Sequence, residues 1–195
     1  MEHAHPDDSI QDSDLLAAYV QGDVNALDCL VGRYRQALFA WFLGMTGSHA
    51  EAEDLFQTLW IRIIKSAERF RDVSFRAWMW QIARNLVIDV RRKRKPDVSL
   101  DAVMDEEDTP LLDHLVAPDI DPAKALEQQD TARIAIKALG HLPQVQREVF
   151  LMRVQGELTF QEIAEALEIP LNTALGRMHD AVAKLKAIVT EELRQ

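Results

Sequence analysis

An all-α protein of two helical domains joined by a flexible acidic linker is the fold class this sequence predicts, on three observations. Apolar residues recur at spacings of three and four along most of the chain, with almost no alternating β-branched runs. That periodicity fails over residues 96–130, where prolines stand at 96, 110, 118 and 122. Charge divides at the same boundaries: residues 1–95 hold 13 acidic and 13 basic residues, 96–130 hold 11 and 1, and 131–195 hold 8 of each. The formal net charge of −10 over 195 residues therefore belongs to the middle segment.

The first domain is expected over residues 13–95, after a tail at 1–12. Ser13 is a plausible N-cap for a helix over Asp14–Gln21. A second helix follows Gly22-Asp23, where Leu27, Leu30, Val31, Tyr34, Leu38, Trp41 and Phe42 form a stripe at helical spacing. Ser48 with Glu51 matches the capping-box pattern and opens a third helix. A fourth begins near Ser74 and runs into Arg91-Arg92-Lys93-Arg94-Lys95, where Pro96 stops it.

The linker, Pro96 to Asp130, carries the run Asp105-Glu106-Glu107-Asp108 and too little apolar surface to offset its ordering entropy. As a coil its 35 residues would span about 30–35 Å. Leu111, Leu112, Leu115 and Val116 allow a short docking helix within it. The second domain, 131–195, reads as helices around Thr131–Leu139, from Pro143 to Val154, over Thr159–Glu168 and over roughly Leu171–Leu193. Thr159 with Glu162 is another capping box, and Pro170 leaves only a tight turn before the last helix. A short helix, a turn and a longer helix make the helix-turn-helix plan, whose second helix enters the DNA major groove.

Several classes of function are disfavoured. The lone Cys29 excludes an intramolecular disulfide framework and any all-cysteine zinc site, and the six histidines are scattered, so no metal or cofactor is expected. No run of about 18 apolar residues suggests membrane insertion, and Met1-Glu2-His3-Ala4-His5-Pro6-Asp7-Asp8 lacks the character of a signal peptide. A cytoplasmic location is expected. An enzyme is the least favoured class, for want of paired carboxylates, a phosphate loop or a nucleophile constellation. Taken whole, −10 also argues against a polyanionic partner. The charge is uneven, however: residues 1–60 carry 2 basic against 10 acidic residues, and 61–95 carry 11 against 3.

Helical-wheel geometry then isolates three spare faces. On the helix from Glu53 to Ala67, Leu55, Phe56, Leu59, Trp60, Ile63 and Ala67 share one side, and Asp54, Thr58, Ile61 and Lys65 fall opposite, with Gln57 at their edge. Ile61 is either a single tolerated exposed residue or the centre of a protein-binding face. From Phe75 to Arg92, the stripe Phe75, Trp78, Met79, Ile82, Leu86 and Val90 leaves Trp80, Arg84, Ile88 and Arg91 opposite, flanked by Gln81, Asn85 and Arg92. An exposed Trp among arginines suits melted nucleic acid, because bases stack on the ring and guanidinium groups pair with phosphate. The alternative is a solvated charged face with Trp80 packed against a neighbouring helix. In the last helix, Ala174, Met178, Ala181, Leu185 and Ile188 face a core, leaving Thr173, Arg177 and His179 outward with Leu171 and Asn172 at the start. With one fully charged residue there, Arg177, a packing helix competes with a groove-reading one.

Four ordered stretches carry a family resemblance: Gly22-Asp23 with Ala26, Leu27, Leu30 and Tyr34; Glu51-Ala52-Glu53-Asp54-Leu55-Phe56-Gln57; Phe75-Arg76-Ala77-Trp78-Met79-Trp80-Gln81-Ile82-Ala83-Arg84-Asn85 with Asp89, Arg91 and Arg92; and Leu142-Pro143-Gln144-Val145-Gln146-Arg147-Glu148-Val149-Phe150 followed by Gln161-Glu162-Ile163-Ala164. The sequence resembles the sigma-70 family of bacterial RNA polymerase sigma factors, in the extracytoplasmic-function (ECF) group that keeps only regions two and four.

The resemblance implies that Glu53, Asp54, Gln57 and Ile61 bind the clamp helices of the polymerase β′ subunit. It implies that Arg69, Arg76, Trp80, Arg84, Asn85, Arg91 and Arg92 capture and help melt the minus-10 promoter element. Region four would read the minus-35 element through Asn172, Thr173, Arg177 and His179, with its outer surface on the β flap. An anti-sigma factor is a further implied partner. Two departures stand out. Thr58 replaces the usual Glu of the clamp-binding helix, and the recognition helix carries Leu175, Gly176, Asp180 and Val182 where relatives commonly have further basic residues. Gly176 costs that helix about 1 kcal/mol relative to Ala, and would let a phosphate approach closely. Two rival readings remain: a conventional helix-turn-helix regulator acting without polymerase, and a helical scaffold that binds only proteins.

Overall fold

The computed structural model describes residues 10–71, 74–94 and 138–192. The linker at 96–130, with its possible docking helix, and most of the expected tail and of the helix at 131–139 lie outside the described residues. Among the described residues the α-helices with described bounds are, in order, α1 (Asp12–Val20), α2 (Val24–Thr46), α3 (His49–Ser66), α4 (Phe75–Arg94), α5 (Gln144–Val154), α6 (Phe160–Leu167) and α7 (Leu171–Glu192). A single 3-10 turn, Ala67–Arg69, follows α3. Among the described residues no helix is long and apolar enough to cross a membrane.

Side-chain caps open α2, α3, α4 and α6, whereas α1 and α5 start without one. Asp23 Oδ1 accepts the Asn25 N–H at 3.0 Å, Ser48 Oγ accepts from Glu51 N at 3.5 Å, and Ser74 Oγ accepts from Ala77 N at 3.3 Å. Thr159 and Glu162 close a reciprocal capping box, with the Thr159 N–H 2.7 Å from Glu162 Oε2 and the Glu162 N–H 3.2 Å from Thr159 Oγ1. Ser13 does not cap α1, which starts at Asp12 with Gln11 in the N-cap position. The reason is tertiary: the Asp12 carboxylate accepts from Arg33 and from the Tyr34 hydroxyl of α2, so the chain turns helical earlier than a local cap would allow. The buried hydroxyl beside that carboxylate is held well above its ordinary pKa, burial being the larger cause.

Helix α2, about 35 Å long by its 23 residues, is the spine of the first module. Leu30 and Leu38 on α2 pack with Leu59 and Ile63 on α3 and Met79 on α4, all fully buried. Toward its end the helix is buried all round, from Ala40 through Met45. One module cannot bury every side of a surface helix. Here the second module supplies the missing cover: a Cβ built on Gly44 would lie 2.7 Å from Leu151 Cδ1 of α5.

The two halves therefore share one continuous apolar core, which runs from Leu16, Trp41 and Trp80 into Met152, Leu158 and Ile163. Helix α4 packs on α6, and α2 on α5. The loop Gln155–Leu158 is shaped to this contact, because a Cβ on Gly156 would meet Trp80 Cζ2 and the Met152 carbonyl, each at 2.7 Å.

Candidate nucleic-acid interface

The outer face of α3 matches the expectation from sequence. Leu55, Leu59, Trp60 and Ile63 point inward, and Glu53, Asp54, Gln57 and Ile61 are exposed, Ile61 by 50%. Ile64, 39% exposed, extends the apolar centre of that face.

On α4 the expected solvent face is divided. Asn85 and Arg92 are exposed, as is Arg69 on the 3-10 turn, whereas Arg76, Arg84 and Arg91 are half-buried. Trp80 is fully buried, which corrects the expectation of an exposed stacking ring. Its indole meets Trp41 edge-on, with centroids 5.5 Å apart at 86°, and abuts Gly156 of the other module. Packing against a neighbour, the alternative for this residue, is what the structure adopts, and the neighbour includes the second module.

The arginines beside it are occupied too. Arg76 donates to the Gly156 carbonyl and lies 3.9 Å from Glu162. Gln81 Nε2 donates to Glu168 Oε1 at 2.8 Å, and Arg84 Nε donates to Glu148 Oε1 at 3.2 Å. Arg91 donates to the Met45 carbonyl at 2.6 Å, within its own module. Arg92 makes a 3.4 Å pair with Asp89, which Arg62 approaches at 3.3 Å.

Glu148, on α5, is the buried acid at the centre of this arrangement, only 3% exposed. Burial raises its carboxyl pKa above the usual carboxylate range, against the opposing pull of Arg84, Arg177 and Arg91. Arg91 is itself lowered by burial, which Glu148 partly offsets. Arg147, donating to the carbonyls of Gly140 and Leu142, is pushed down to about 10 by burial and by the charge of Arg91.

The start of α7 is open but nearly uncharged. Leu171, Asn172 and His179 are exposed as expected, while Thr173 and Arg177 are half-buried, so these two do not simply face outward. Arg177 acts electrostatically on Glu148. Leu175 and Gly176 join the exposed surface, and the exposed Asp180 beside His179 adds an acid to it.

The expected site residues are therefore open throughout on α3, while α4 divides into exposed Asn85 and Arg92 and covered Arg76, Trp80, Arg84 and Arg91, and α7 into exposed Asn172 and His179 and half-buried Thr173 and Arg177. Glu148, Leu151 and Gly156, which do the covering, and Gly44, which Leu151 covers, had no place in the expected sites. Part of the signal was present: Ala37-Leu38-Phe39-Ala40-Trp41-Phe42-Leu43 is too continuous for a helix with a single buried stripe. Nothing in the sequence marks Glu148 among the charged residues of its helix.

Comparison with known proteins agrees with this architecture. Sigma-70 region 2 matches residues 30–96, and Sigma-70, region 4 matches residues 132–185. The chain is 33% identical to the ECF RNA polymerase sigma factor SigW of Bacillus subtilis over 162 residues, covering 82% of this chain and 86% of that one. It is 25% identical to the RNA polymerase sigma-H factor of Pseudomonas aeruginosa over 95% of this chain and 97% of that one. Among solved structures, CnrH in complex with the cytosolic domain of CnrY shares the fold at a TM-score of 0.66, with 24% identity over 92% of this chain and 97% of that one. The sigma factor RpoE of Bartonella quintana, in complex with the anti-sigma factor NepR, does so at 0.65, with 21% identity over 86% and 98%. With regions two and four in order and a relative this similar over most of its length, the chain belongs to the ECF group of sigma-70 RNA polymerase sigma factors.

Proposed function

We propose that the chain is a dissociable promoter-specificity subunit of RNA polymerase, with no reaction centre of its own. The observation that carries this reading is the ordered pair of regions two and four in one chain, inside a similarity to SigW that covers 82% of it.

In this reading Glu53, Asp54, Gln57 and Ile61 of α3 dock on the β′ clamp helices. A half-exposed isoleucine among polar and acidic side chains suits a partner with an apolar centre and a basic rim. Arg69, Asn85 and Arg92 meet the minus-10 element first. Arg76, Arg84, Arg91 and Trp80 join them in the opened promoter, where unpaired bases gain stacking and charge contacts that duplex bases lack. Region four reads the minus-35 element with Asn172, Thr173, Arg177 and His179, and docks on the β flap. Each module binds weakly alone, and tethering them raises the effective concentration of the second at the promoter.

Both structural neighbours are complexes with a second protein, NepR being an anti-sigma factor. They support an anti-sigma factor as a regulator of this chain. The site of action is the cytoplasm, where polymerase works.

Run-off transcription with core polymerase tests the reading. The full chain should co-purify with core enzyme and yield discrete transcripts from a subset of genomic fragments; no transcript from any fragment, together with no co-purification, overturns it.

A further inference from the structure

Asn85, Asp89 and Arg92 recur on α4 at spacings of four and three, so they share one face, apart from the face of Arg76, Trp80 and Arg84. Arg62 of α3 reaches across to it. The Arg62 Nη2 lies 3.3 Å from Asp89 Oδ2, and the Arg92 Nη2 lies 3.4 Å from Asp89 Oδ1. One half-buried carboxylate thus holds a guanidinium on each of its oxygens, one from each helix. Both arginines are exposed, as are Asn85, Lys65 three residues beyond Arg62, and Lys93 next to Arg92.

Stability is a poor explanation for this arrangement, because exposed ion pairs are screened by water and lose side-chain entropy on pairing. What the pairing does is orient. A guanidinium is a planar fork of five N–H donors, and a contact through one Nη2 leaves donors for a second acceptor. Two forks fixed by a common acid keep a net positive charge and present it at a set separation. Backbone phosphates of a duplex are spaced regularly enough to meet such fixed donors, and contacts of this kind set register without reading bases. A single strand is held largely by stacking on rings, and Asn85, Asp89 and Arg92 bring none to this face.

We propose that Arg62 and Arg92 form a two-pronged phosphate clamp for intact duplex DNA beside the melted segment, with Asp89 as its positioning residue. The inference rests on the reading of Arg92 as a promoter contact. It adds Arg62, from the helix assigned to polymerase docking, and gives Asp89 a role although its charge is the wrong sign for DNA. Arg62 stands next to Ile61 in sequence but is drawn toward α4, so one helix serves polymerase on its outer face and DNA along its edge.

Holoenzyme made with the full chain tests the clamp. It is bound on ice to the genomic fragment that gives the strongest run-off transcript, with permanganate checking that no thymine is unpaired, over about 50–200 mM salt. Arg62→Ala should bind this duplex about tenfold more weakly at the low end of that range and flatten the salt dependence by about 0.9 in log–log slope, the signature of one lost phosphate contact. Arg62→Lys keeps the charge and should recover the slope. Asp89→Asn keeps the side chain's size and removes a negative charge; charge alone would tighten binding, whereas loss of the positioning acid should weaken it severalfold. All three variants should match the parent in circular dichroism, in capture of core polymerase and in binding to the single non-template strand of the same fragment.

Parental affinity and slope in Arg62→Ala overturn the inference. So does loss of core capture in that variant, which would put Arg62 on the docking face, and so does an equal loss on the single strand, which would make it a contact to melted DNA. Tighter duplex binding by Asp89→Asn overturns the positioning role of Asp89. A parent chain that neither captures core enzyme nor supports any transcript would instead defeat the sigma-factor reading, and the clamp would fall with it.

Discussion

Helices α3 and α4 are neighbours in region two and both look amphipathic, but α3 buries one face and α4 buries two. On α3 the inward stripe of Leu55, Leu59 and Ile63 is backed by an open surface around Ile61. On α4, Phe75, Met79 and Leu86 are buried in the apolar core, while Arg76, Trp80, Gln81 and Arg84 meet region four. Hydrophobic periodicity reports the face that packs on a helix's own module. A second face built of one aromatic ring and several long charged side chains reads as a solvent surface, because its apolar atoms lie in stems whose heads are polar.

The sharpest test of that contrast is truncation on each helix. Trp80→Ala removes a fully buried indole wedged between Trp41 and Gly156 and should cost about 3–5 kcal/mol in urea denaturation. Ile61→Ala, on a face that is half open, should fall within about 0.5 kcal/mol of the parent. Similar losses for both would erase the distinction between the two helices.

What was legible in the sequence follows the same division. The capping box at Thr159 and the cap at Ser48 depend on neighbours within three residues, and both form as their spacing predicts. So does the burial of Leu30, Leu38, Leu59 and Ile63, and the exposure of Ile61. The start of α1 was misplaced because Arg33 and Tyr34, more than twenty residues away, engage Asp12. Trp80, Arg84 and Arg177 were read as outward because the residues that cover or engage them belong to segments whose position no local pattern encodes. The candidate site on α3 was thus readable from one helix, and the one on α4 required knowing where region four rests.

A second test separates docking from melting. Asp54→Ala should weaken capture of core polymerase by about tenfold, about 1.4 kcal/mol, with little change in the midpoint of unfolding. Arg84→Ala should leave that capture intact and reduce promoter opening, read by permanganate reactivity of unpaired thymines. Loss of polymerase capture in Arg84→Ala but not in Asp54→Ala would reverse the assignment of the two faces.

The buried acid gives the contrast a pH dependence. Burial raises the Glu148 pKa in the folded chain, so between the ordinary carboxylate value and the raised one the native state binds more protons than the unfolded state. Its contribution is complete below the ordinary carboxylate pKa and is lost as pH rises through the raised value. Glu148→Gln removes this titration, so its melting temperature should decline less with rising pH across that window. Parallel profiles for the two proteins would show that Glu148 is not buried by the fold in solution.

A modest effect is expected at Gly176, a glycine that neither module crowds. Gly44 and Gly156 sit where a Cβ would strike the opposite module, whereas a Cβ on Gly176 meets nothing within 4 Å. Gly176→Ala should therefore stabilise region four by up to about 1 kcal/mol through helix propensity alone, read as a rise in the chain's melting temperature. The exposed start of α7 holds few charges, so close approach of its backbone to DNA is one way for it to bind. If the groove wall or a phosphate comes against Gly176, the same alanine that raises stability should lower run-off transcription from a cognate promoter. A stabilised chain with undiminished transcription would mean that this turn of α7 does not lie against DNA, leaving Asn172 and His179 as its exposed reading residues.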